Sequence, residues 1–191
     1  MNKKIKLVAL MGESSSGKDT ILSKLSLIYS GLHKVVSTTT RPIRDYEKDG
    51  KDYFFIDEHG FAEKILNFEM LEATDFNDWF YGTEIKALDE NRINVGAYNP
   101  DGVRCLLEDS RIDLKVIYIK ADDKTRIIRA LNREEEPNIE EIFRRYGTDK
   151  NDFDSIDFEY VTVANNGDRD LSTVVAHVGA LIIEHFGQGQ K

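Results

Sequence analysis

Hydrophobic positions along the chain form short runs that alternate with stretches of helical periodicity. The first run, IKLVALM at 5–11, is typical of a strand buried on both faces of a parallel sheet. Similar runs predict further strands at 34–38, 92–97, 114–120 and 160–164.

Between these runs, apolar residues recur at the spacing of an amphipathic helix. This periodicity predicts a helix that ends at Gly31, and others at 58–67, after NPDG at 99–102, at 123–133, at 139–146 and from Leu171 onward. Residues 40–83 are richer in Asp, Tyr, Phe and Gly and predict short mixed strands. We expect REEEPN at 133–138 to be an exposed break and the tail GQGQK to be frayed. The alternation of strands and helices predicts an α/β fold with a parallel sheet.

A glycine-rich turn, GESSSGKDT at 12–20, joins the first strand to the first helix. Gly12 and Gly17 permit tight turns, so that successive N–H groups can cradle phosphate oxygens at the helix N-terminus. Lys18 would bring a positive charge to the β and γ phosphates. An ordinary Gly/Ser-rich turn is the alternative, but the strand–turn–helix order favours a phosphate-binding P-loop.

A second group of cations follows the predicted strand at 34–38. Arg41 and Arg44 flank a proline, and two guanidinium groups can hold one phosphate, with Tyr53 and Tyr81 as added hydroxyl donors. The alternative is a solvated arginine pair balanced by nearby acids, and the residues alone do not separate the two interpretations.

A third group of cations lies on the helices predicted at 123–133 and 139–146. Arg126, Arg129 and Arg133 share one helix face, and Arg144 and Arg145 follow on the next helix. Arginines of this kind can stabilise the charge of a transferring phosphoryl group, or they can belong to a salt-bridged surface helix. For Arg126 we favour the surface helix.

Length and charge narrow the class of protein. A chain of 191 residues predicts one domain, and its net charge of −9 argues against a nucleic-acid-binding surface. Its single cysteine, Cys105, leaves no internal disulfide and favours a reducing cytoplasm. No apolar run is long enough to predict a membrane span.

The chain resembles the guanylate kinases, a family of P-loop nucleoside monophosphate kinases. The resemblance covers nearly the whole chain and rests most specifically on STTTRPIR, DGKDYFFI and LEATDFNDWFYGT, which lie between residues 37 and 83. It implies transfer of the γ-phosphate of ATP to GMP with Mg²⁺, a monophosphate-binding subdomain at 37–86 and a helical lid at 123–151 within a single P-loop α/β domain.

The resemblance also implies a set of functional residues. The residues implied in binding the phosphate of GMP are Arg41, Arg44, Tyr53 and Tyr81, and those implied in binding the base are Ser37, Glu72, Thr83 and Asn99. The residues implied in ATP binding are Gly12, Glu13, Ser14, Ser15, Ser16, Gly17, Lys18, Asp19, Thr20, Arg133 and Asn165. The residues implied in catalysis are Lys18, Arg41, Arg129, Arg133 and the pair Arg144 and Arg145, of which one matches a lid arginine.

The chemistry of guanine supports the role of Glu72 independently. Guanine presents two adjacent donors, N1–H and the N2 amine, and one carboxylate can accept from both. Adenine presents a bare acceptor at N1, which a carboxylate would repel.

Three positions depart from the family's pattern. The family carries an Asp-x-Asp pair where this chain has Ala97 and Asn99, and a hydroxyl where it has Asp19. We predict that Asp19 replaces the carboxylate missing at 97 and, with Thr20, holds the Mg²⁺ of ATP. The alternative is that Asp19 caps the helix or faces solvent.

The predicted protein is therefore a cytoplasmic ATP:GMP phosphotransferase, monomeric or homodimeric, without nucleic-acid or membrane partners. The alternatives are a related kinase for dGMP, another nucleotide or a sugar phosphate such as a ribose bisphosphate, and a catalytically weak GMP-binding or scaffold module. Lys18 and the lid arginines argue against the module.

Overall fold

A computed structural model describes residues 3–45, 47–76, 78–133 and 136–187. The strands in these ranges are β1 (Ile5–Met11), β2 (Leu32–Lys34), β3 (Thr38–Thr39), β4 (Phe54–Phe55), β5 (Met70–Phe76), β6 (Trp79–Glu84), β7 (Ile93–Tyr98), β8 (Ile112–Lys120) and β9 (Val161–Ala164). The helices are α1 (Lys18–Ile28), α2 (Glu58–Leu66), α3 (Pro100–Glu108), α4 (Asp123–Leu131), α5 (Ile139–Asp154) and α6 (Leu171–Gly187), with a 3-10 turn at Ile85–Ala87.

The larger sheet has the strand order β2-β7-β1-β8-β9, and every neighbouring pair is parallel. The predicted α/β fold with a parallel sheet is confirmed. β1 lies at the centre, and helices cover both of its faces, which explains its apolar run.

Side chains of β1 divide between two hydrophobic cores according to their parity. Val8 and Leu10 pack with α1 and α6, whereas Leu7, Ala9 and Met11 pack with α3 on the other face. The turn that follows β1 is therefore anchored from both sides of the sheet.

A second sheet, with the order β4-β3-β6-β5, is built from residues between 38 and 84. The single strand predicted at 34–38 is wrong, because β2 ends at Lys34 and β3 begins at Thr38 in the other sheet. Val35 N–H still donates to Val95 O at 2.9 Å, whereas Ser37 O already accepts from Phe54 N at 2.9 Å. The chain thus passes from one sheet to the other within residues 35–37.

Helix α5 is longer than the helix predicted at 139–146, and α4 ends at Leu131 rather than at 133. The second half of α5, GTDKNDFD, has weak helix propensity. Its conformation depends on tertiary contacts, since Asp149 is fully buried and Phe153 stacks on Tyr118 at 5.7 Å. Glu134 and Glu135 of the predicted break, and the predicted frayed tail from 188, lie outside the described residues.

None of the helices in the described ranges combines the length and the apolar character that a membrane crossing requires.

Glu84, at the end of β6, connects the second sheet to α2 and to the 3-10 turn. Its buried carboxylate accepts from Thr38 Oγ1 at 3.0 Å, from Lys64 Nζ at 2.9 Å and from Lys86 Nζ at 2.8 Å. Burial opposes ionisation, but the hydrogen bonds from Lys86, Lys64 and Thr38 hold the pKa of Glu84 below its usual value. The ionised carboxylate is therefore the form that stabilises this sheet.

Substitution Glu84→Gln should lower the free energy of unfolding at about pH 7 by about 1–3 kcal/mol, because charged hydrogen bonds are lost. The stabilisation from a lowered pKa is present above the unfolded pKa and is lost as the pH falls through the folded pKa, so the difference should shrink toward about pH 3. Urea unfolding at both pH values measures it. Glu69 is a second and more exposed carboxylate partner of Lys64. Glu69→Gln is therefore the control and should change the free energy of unfolding little. Equal stability of Glu84→Gln and the wild type at neutral pH would contradict the prediction.

Candidate active site

The turn between β1 and α1 is shaped by two glycines that no other residue could replace without movement. A Cβ on Gly12 would lie 2.5 Å from Ile119 O of the neighbouring strand β8. Gly17 has a φ of 96°, and a Cβ there would lie 2.4 Å from Asn165 Nδ2. Ser15 also has a positive φ, 62°, which is unusual for a residue with a side chain.

Two side chains hold the end of this loop from the side of β9 and α4. The carbonyl oxygen of Ser16 accepts from Asn165 Nδ2 at 2.8 Å and from Arg129 Nη1 at 3.1 Å. Arg133 Nη2 lies 3.4 Å from Ser15 Oγ. These three predicted residues therefore meet the phosphate loop, although they come from segments far away in the sequence.

Glu13 is arranged differently from the rest of the loop. Its Oε1 lies 3.4 Å from Arg126 Nη1, and Glu13 is not among the residues that line the neighbouring cavities. Its predicted role in ATP binding, as a member of the loop whose backbone N–H groups face the phosphates, stays a prediction.

Arg41 is buried and forms a two-pronged ion pair with Glu47. Its Nη2 and Nη1 lie 2.7 and 3.0 Å from the two carboxylate oxygens, and Arg44 N–H donates to the same carboxylate at 3.0 Å. The alternative of a solvated pair is wrong for Arg41, whose partner Glu47 is also largely buried.

Aromatic rings surround the guanidinium group of Arg41. Its Cζ lies 5.5 Å from the centroids of both Tyr53 and Phe55, and the Tyr53 and Tyr81 rings meet edge to face at 5.9 Å. Burial and the nearby charge of Asp19 raise the pKa of Tyr53, so its hydroxyl stays protonated and remains a donor.

Glu72 lies on β5 opposite Thr83 of β6 and is buried. Burial raises the pKa of Glu72 to about 7, and hydrogen bonds with the side chain and backbone of Thr83 only partly oppose this. A carboxylate so placed is a strong acceptor with few protein donors, which suits a ligand that brings donors of its own.

Asn99 lies beside Glu72 and is the N-cap of helix α3. Its Oδ1 accepts from Gly102 N–H at 2.8 Å, and its amide group also contacts Thr74 Oγ1 at 3.2 Å. The buried hydroxyl of Tyr98 lies 3.4 Å from Thr83 Oγ1 at the same end of the site.

One cavity brings most of the predicted residues together. Its walls include Gly12, Ser14, Ser15, Lys18, Asp19, Ser37, Arg41, Arg44, Tyr53, Glu72, Tyr81, Asn99, Arg133 and Arg145. Thr83 lies behind Glu72, and Thr20 lines an adjoining cavity with Asp19. The phosphate loop and the candidate base-binding carboxylate therefore face the same space.

Asp19 does not cap helix α1. The N-cap is Gly17 and has no side-chain hydrogen bond. Asp19 instead lines both the main cavity and the adjoining one, and Ala97 lines the same two cavities. Asp19 is also exposed, as the alternative of a solvent-facing side chain expects, and its metal role stays a prediction.

Arg144 and Arg145 both line an outer groove, where Arg144 Nη1 lies 3.5 Å from Asp78 Oδ2. Arg145 also lines the main cavity, which Arg144 does not. Both bind Glu141, and the hydrogen bonds from Arg144 and Arg145 lower the pKa of Glu141 to about 2. Position within the cleft favours Arg145 as the lid arginine.

The expectation that Arg126 lies on a surface helix is wrong. Arg126 forms ion pairs, as expected, but its guanidinium group is buried beneath the loop, with Asp149 as the nearest carboxylate at 2.5 Å and Glu13 and Asp123 at 3.4 and 3.5 Å. Sequence reasoning did not find Asp149, because it lies beyond the predicted end of the helix at 146. Glu47 was visible only as a nearby acid, and nothing in the sequence marked Tyr98.

The fold and this cavity define a P-loop protein with a second substrate pocket beside the loop, the architecture of a nucleotide kinase. The sequence pattern of the family described as guanylate kinase matches residues 4–182. The chain therefore belongs to the guanylate kinase family, which confirms the resemblance.

Individual relatives agree with the family. The chain is 32% identical over 157 residues to a guanylate kinase of Malacoplasma penetrans, with 75% of this chain and 69% of the relative covered. It is 29% identical to a guanylate kinase of Streptomyces kasugaensis, with 96% and 89% covered. The crystal structure of guanylate kinase from Anaplasma phagocytophilum shares the fold with a TM-score of 0.68 and 24% identity, with 97% and 89% covered.

Substitution Glu72→Gln should stabilise the free protein at alkaline pH. A folded pKa of about 7, above the usual 4.5, means that the stability of the protein falls as the pH rises from about 4.5 and levels off above about 7, where the buried carboxyl is ionised. The gain from glutamine should reach about 1–3 kcal/mol near pH 8 and should vanish near pH 4, where the unfolded carboxyl is protonated too. Urea unfolding measures both values. A loss of stability in Glu72→Gln at alkaline pH would contradict this assignment.

Proposed function

We propose that the protein transfers the γ-phosphate of ATP to GMP and releases ADP and GDP. The observation that carries the proposal is that the phosphate loop and the buried carboxylate of Glu72 line the same cavity. Membership of the guanylate kinase family supports the same reaction.

The GMP phosphate is the proposed ligand of Arg41, Arg44, Tyr53 and Tyr81. Arg41 is already held by Glu47 at 2.7 Å, which keeps the guanidinium in place before the substrate arrives. Its remaining donors and the two tyrosine hydroxyls supply hydrogen bonds to a phosphate.

The guanine base is the proposed ligand of Ser37, Glu72, Thr83 and Asn99. Glu72 accepts from N1–H and the N2 amine, while Thr83 orients its carboxylate through the hydrogen bonds described above. Because Glu72 must be ionised to accept both, GMP binding should lower its pKa and favour the charged form.

ATP is the proposed ligand of the phosphate loop. Backbone N–H groups between Gly12 and Thr20 hold its phosphate oxygens, and Lys18 brings a positive charge to them. Arg129 and Asn165 act by holding the carbonyl group of Ser16, and Arg133 extends from the lid toward the loop.

In the transfer step, a phosphate oxygen of GMP attacks the γ-phosphorus. The bond from that phosphorus to the β,γ-bridging oxygen breaks, and its electron pair leaves with ADP. The attacking phosphate is already ionised, so the step requires no side-chain base. Lys18, Arg41, Arg133 and Arg145 stabilise the charge on the transferring group, and Arg145 takes the place that the sequence left open between 144 and 145.

Asp19 and Thr20 are the proposed holders of the Mg²⁺ that accompanies ATP. Mg²⁺ usually takes one or two carboxylates together with phosphate oxygens, and Asp19 is an exposed carboxylate at the edge of the loop. The ion would neutralise phosphate charge during transfer. Without it, Asp19 would repel the triphosphate.

The subdomain at 37–86 and the lid at 123–151 stay predictions as moving units. The cytoplasmic location, the monomeric or homodimeric state and the absence of nucleic-acid partners also stay predictions.

A panel of nucleoside monophosphates tests the reaction. ADP release with GMP should far exceed release with AMP or CMP, because a site built around an acceptor rejects bases without the matching donors.

Glu72→Ala should weaken GMP binding by about 1.5–3 kcal/mol, the range for hydrogen bonds to a charged group. Lys18→Ala, with its fold checked by circular dichroism, should abolish transfer. Equal rates on all three monophosphates would remove guanine selectivity, and normal turnover in Lys18→Ala would remove the loop from catalysis.

The metal assignment predicts a shift in Mg²⁺ dependence. Asp19→Asn should require much more Mg²⁺ for the binding and turnover of ATP, because the carboxylate ligand is lost. Asp19→Ser, which restores a hydroxyl, should recover part of the affinity. Calorimetric titration of ATP at several Mg²⁺ concentrations measures this without turnover. Identical Mg²⁺ curves for both variants and the wild type would show that Asp19 is not involved.

A further inference from the structure

A buried ion pair connects the two lid helices directly beneath the phosphate loop. Arg126 of α4 and Asp149 of α5 have side-chain exposures of 4% and 0%, and Arg126 Nη2 lies 2.5 Å from Asp149 Oδ2. The guanidinium group also lies over the ring of Tyr146, at 5.2 Å from its centroid.

The pair holds both peptide groups of one loop residue, Ser14. Arg126 Nε donates to Ser14 O at 3.0 Å, and Ser14 N–H donates to Asp149 Oδ2 at 2.9 Å. Ser14 Oγ adds a third hydrogen bond to Asp149 Oδ1 at 3.2 Å. The backbone at Ser14 is therefore constrained in both directions by side chains 112 and 135 residues away.

The constrained residue precedes the strained part of the loop. Ser15 has a φ of 62°, a conformation that costs free energy for a residue with a Cβ and persists only where its surroundings enforce it. The orientation of the following N–H groups toward the cleft depends on this turn.

Stability alone is a weak explanation for the pair. Burying two charges carries a large desolvation cost, and apolar side chains of similar volume often stabilise a protein as well or better. Burial raises the pKa of Asp149 even though the Ser14 N–H and the charge of Arg126 favour its ionised form. What apolar side chains could not supply is the set of hydrogen bonds to Ser14.

We infer that Arg126 and Asp149 are positioning residues that hold the phosphate loop in its ATP-binding conformation through Ser14. The inference rests on the proposed function only in naming ATP as the ligand of the loop.

The test separates positioning from stability by replacing the pair with apolar side chains. The double variant Arg126→Met/Asp149→Leu is made in a Glu13→Gln background, because Glu13 Oε1 lies 3.4 Å from Arg126 Nη1 and its carboxylate would otherwise lose its partner. It should unfold in urea near the midpoint of that background, because the buried charges are removed together. Its Kd for the β,γ-imido analogue of ATP with Mg²⁺ should rise about tenfold, since the loss of an orienting partner typically costs this much or more. KM for GMP should change less than about twofold, because Ser14 belongs to the phosphate loop and is not among the proposed GMP-binding residues.

Two further variants complete the experiment. Lys64→Met breaks an ion pair between α2 and the second sheet, away from the loop, and should leave the Kd of the analogue unchanged. Ser15→Gly, added to the double variant, should recover part of the lost affinity, because glycine adopts the positive φ without strain.

An unchanged analogue Kd in the folded double variant would overturn the inference, and so would a parallel rise in the Kd of the analogue and the KM for GMP. Absence of any recovery with Ser15→Gly would overturn the assignment to loop geometry. If the double variant does not fold, Asp149→Asn, which keeps the side-chain shape, replaces it. Its Kd for the analogue and its KM for GMP are then compared in the same way, and the same results would overturn the inference. Analogue binding is measured without GMP, so a wild-type protein that binds the analogue but fails to phosphorylate GMP contradicts only the proposed function.

Discussion

The close approach of Gly12 to the backbone of β8 is the contact on which the site depends. Because β1 is central and buried on both faces, the loop at its carboxyl end cannot shift without disturbing two cores. The loop passes within contact distance of Ile119 O, and a side chain at 12 would force it outward. All other parts of the cleft are oriented relative to this anchored turn, including the second sheet that carries Glu72.

An acidic protein keeps a cationic cleft by giving its arginines internal carboxylate partners. Glu47 holds Arg41, and Glu141 holds Arg145. These pairs reduce the repulsion among guanidinium groups that face one cavity and fix their directions before any phosphate binds. The net charge of −9 describes the whole surface and says little about this interior arrangement.

The site also contains groups that are unfavourable in the free protein. Glu72 is a buried carboxyl with a pKa of about 7, Asp19 faces the phosphate loop, and Ser15 has a left-handed backbone conformation. Each becomes favourable only with a ligand of matching chemistry or with support from neighbouring side chains. Such local conflicts with stability are typical of binding sites, and here they coincide with the cavity that the family relationship points to.

The sequence by itself determined the parallel sheet, the phosphate loop and most of the cavity's residues, because apolar runs, glycine spacing and local motifs are properties of neighbouring positions. It did not determine where the chain leaves the core sheet, since the division of 34–38 between two sheets depends on partners at Val95 and Phe54. Only the tertiary structure decided that Arg145 faces the cleft and that Arg126 meets Asp149. Those outcomes depend on the directions in which helices present their side chains and on contacts between residues more than twenty positions apart. Local periodicity carries no information about such contacts.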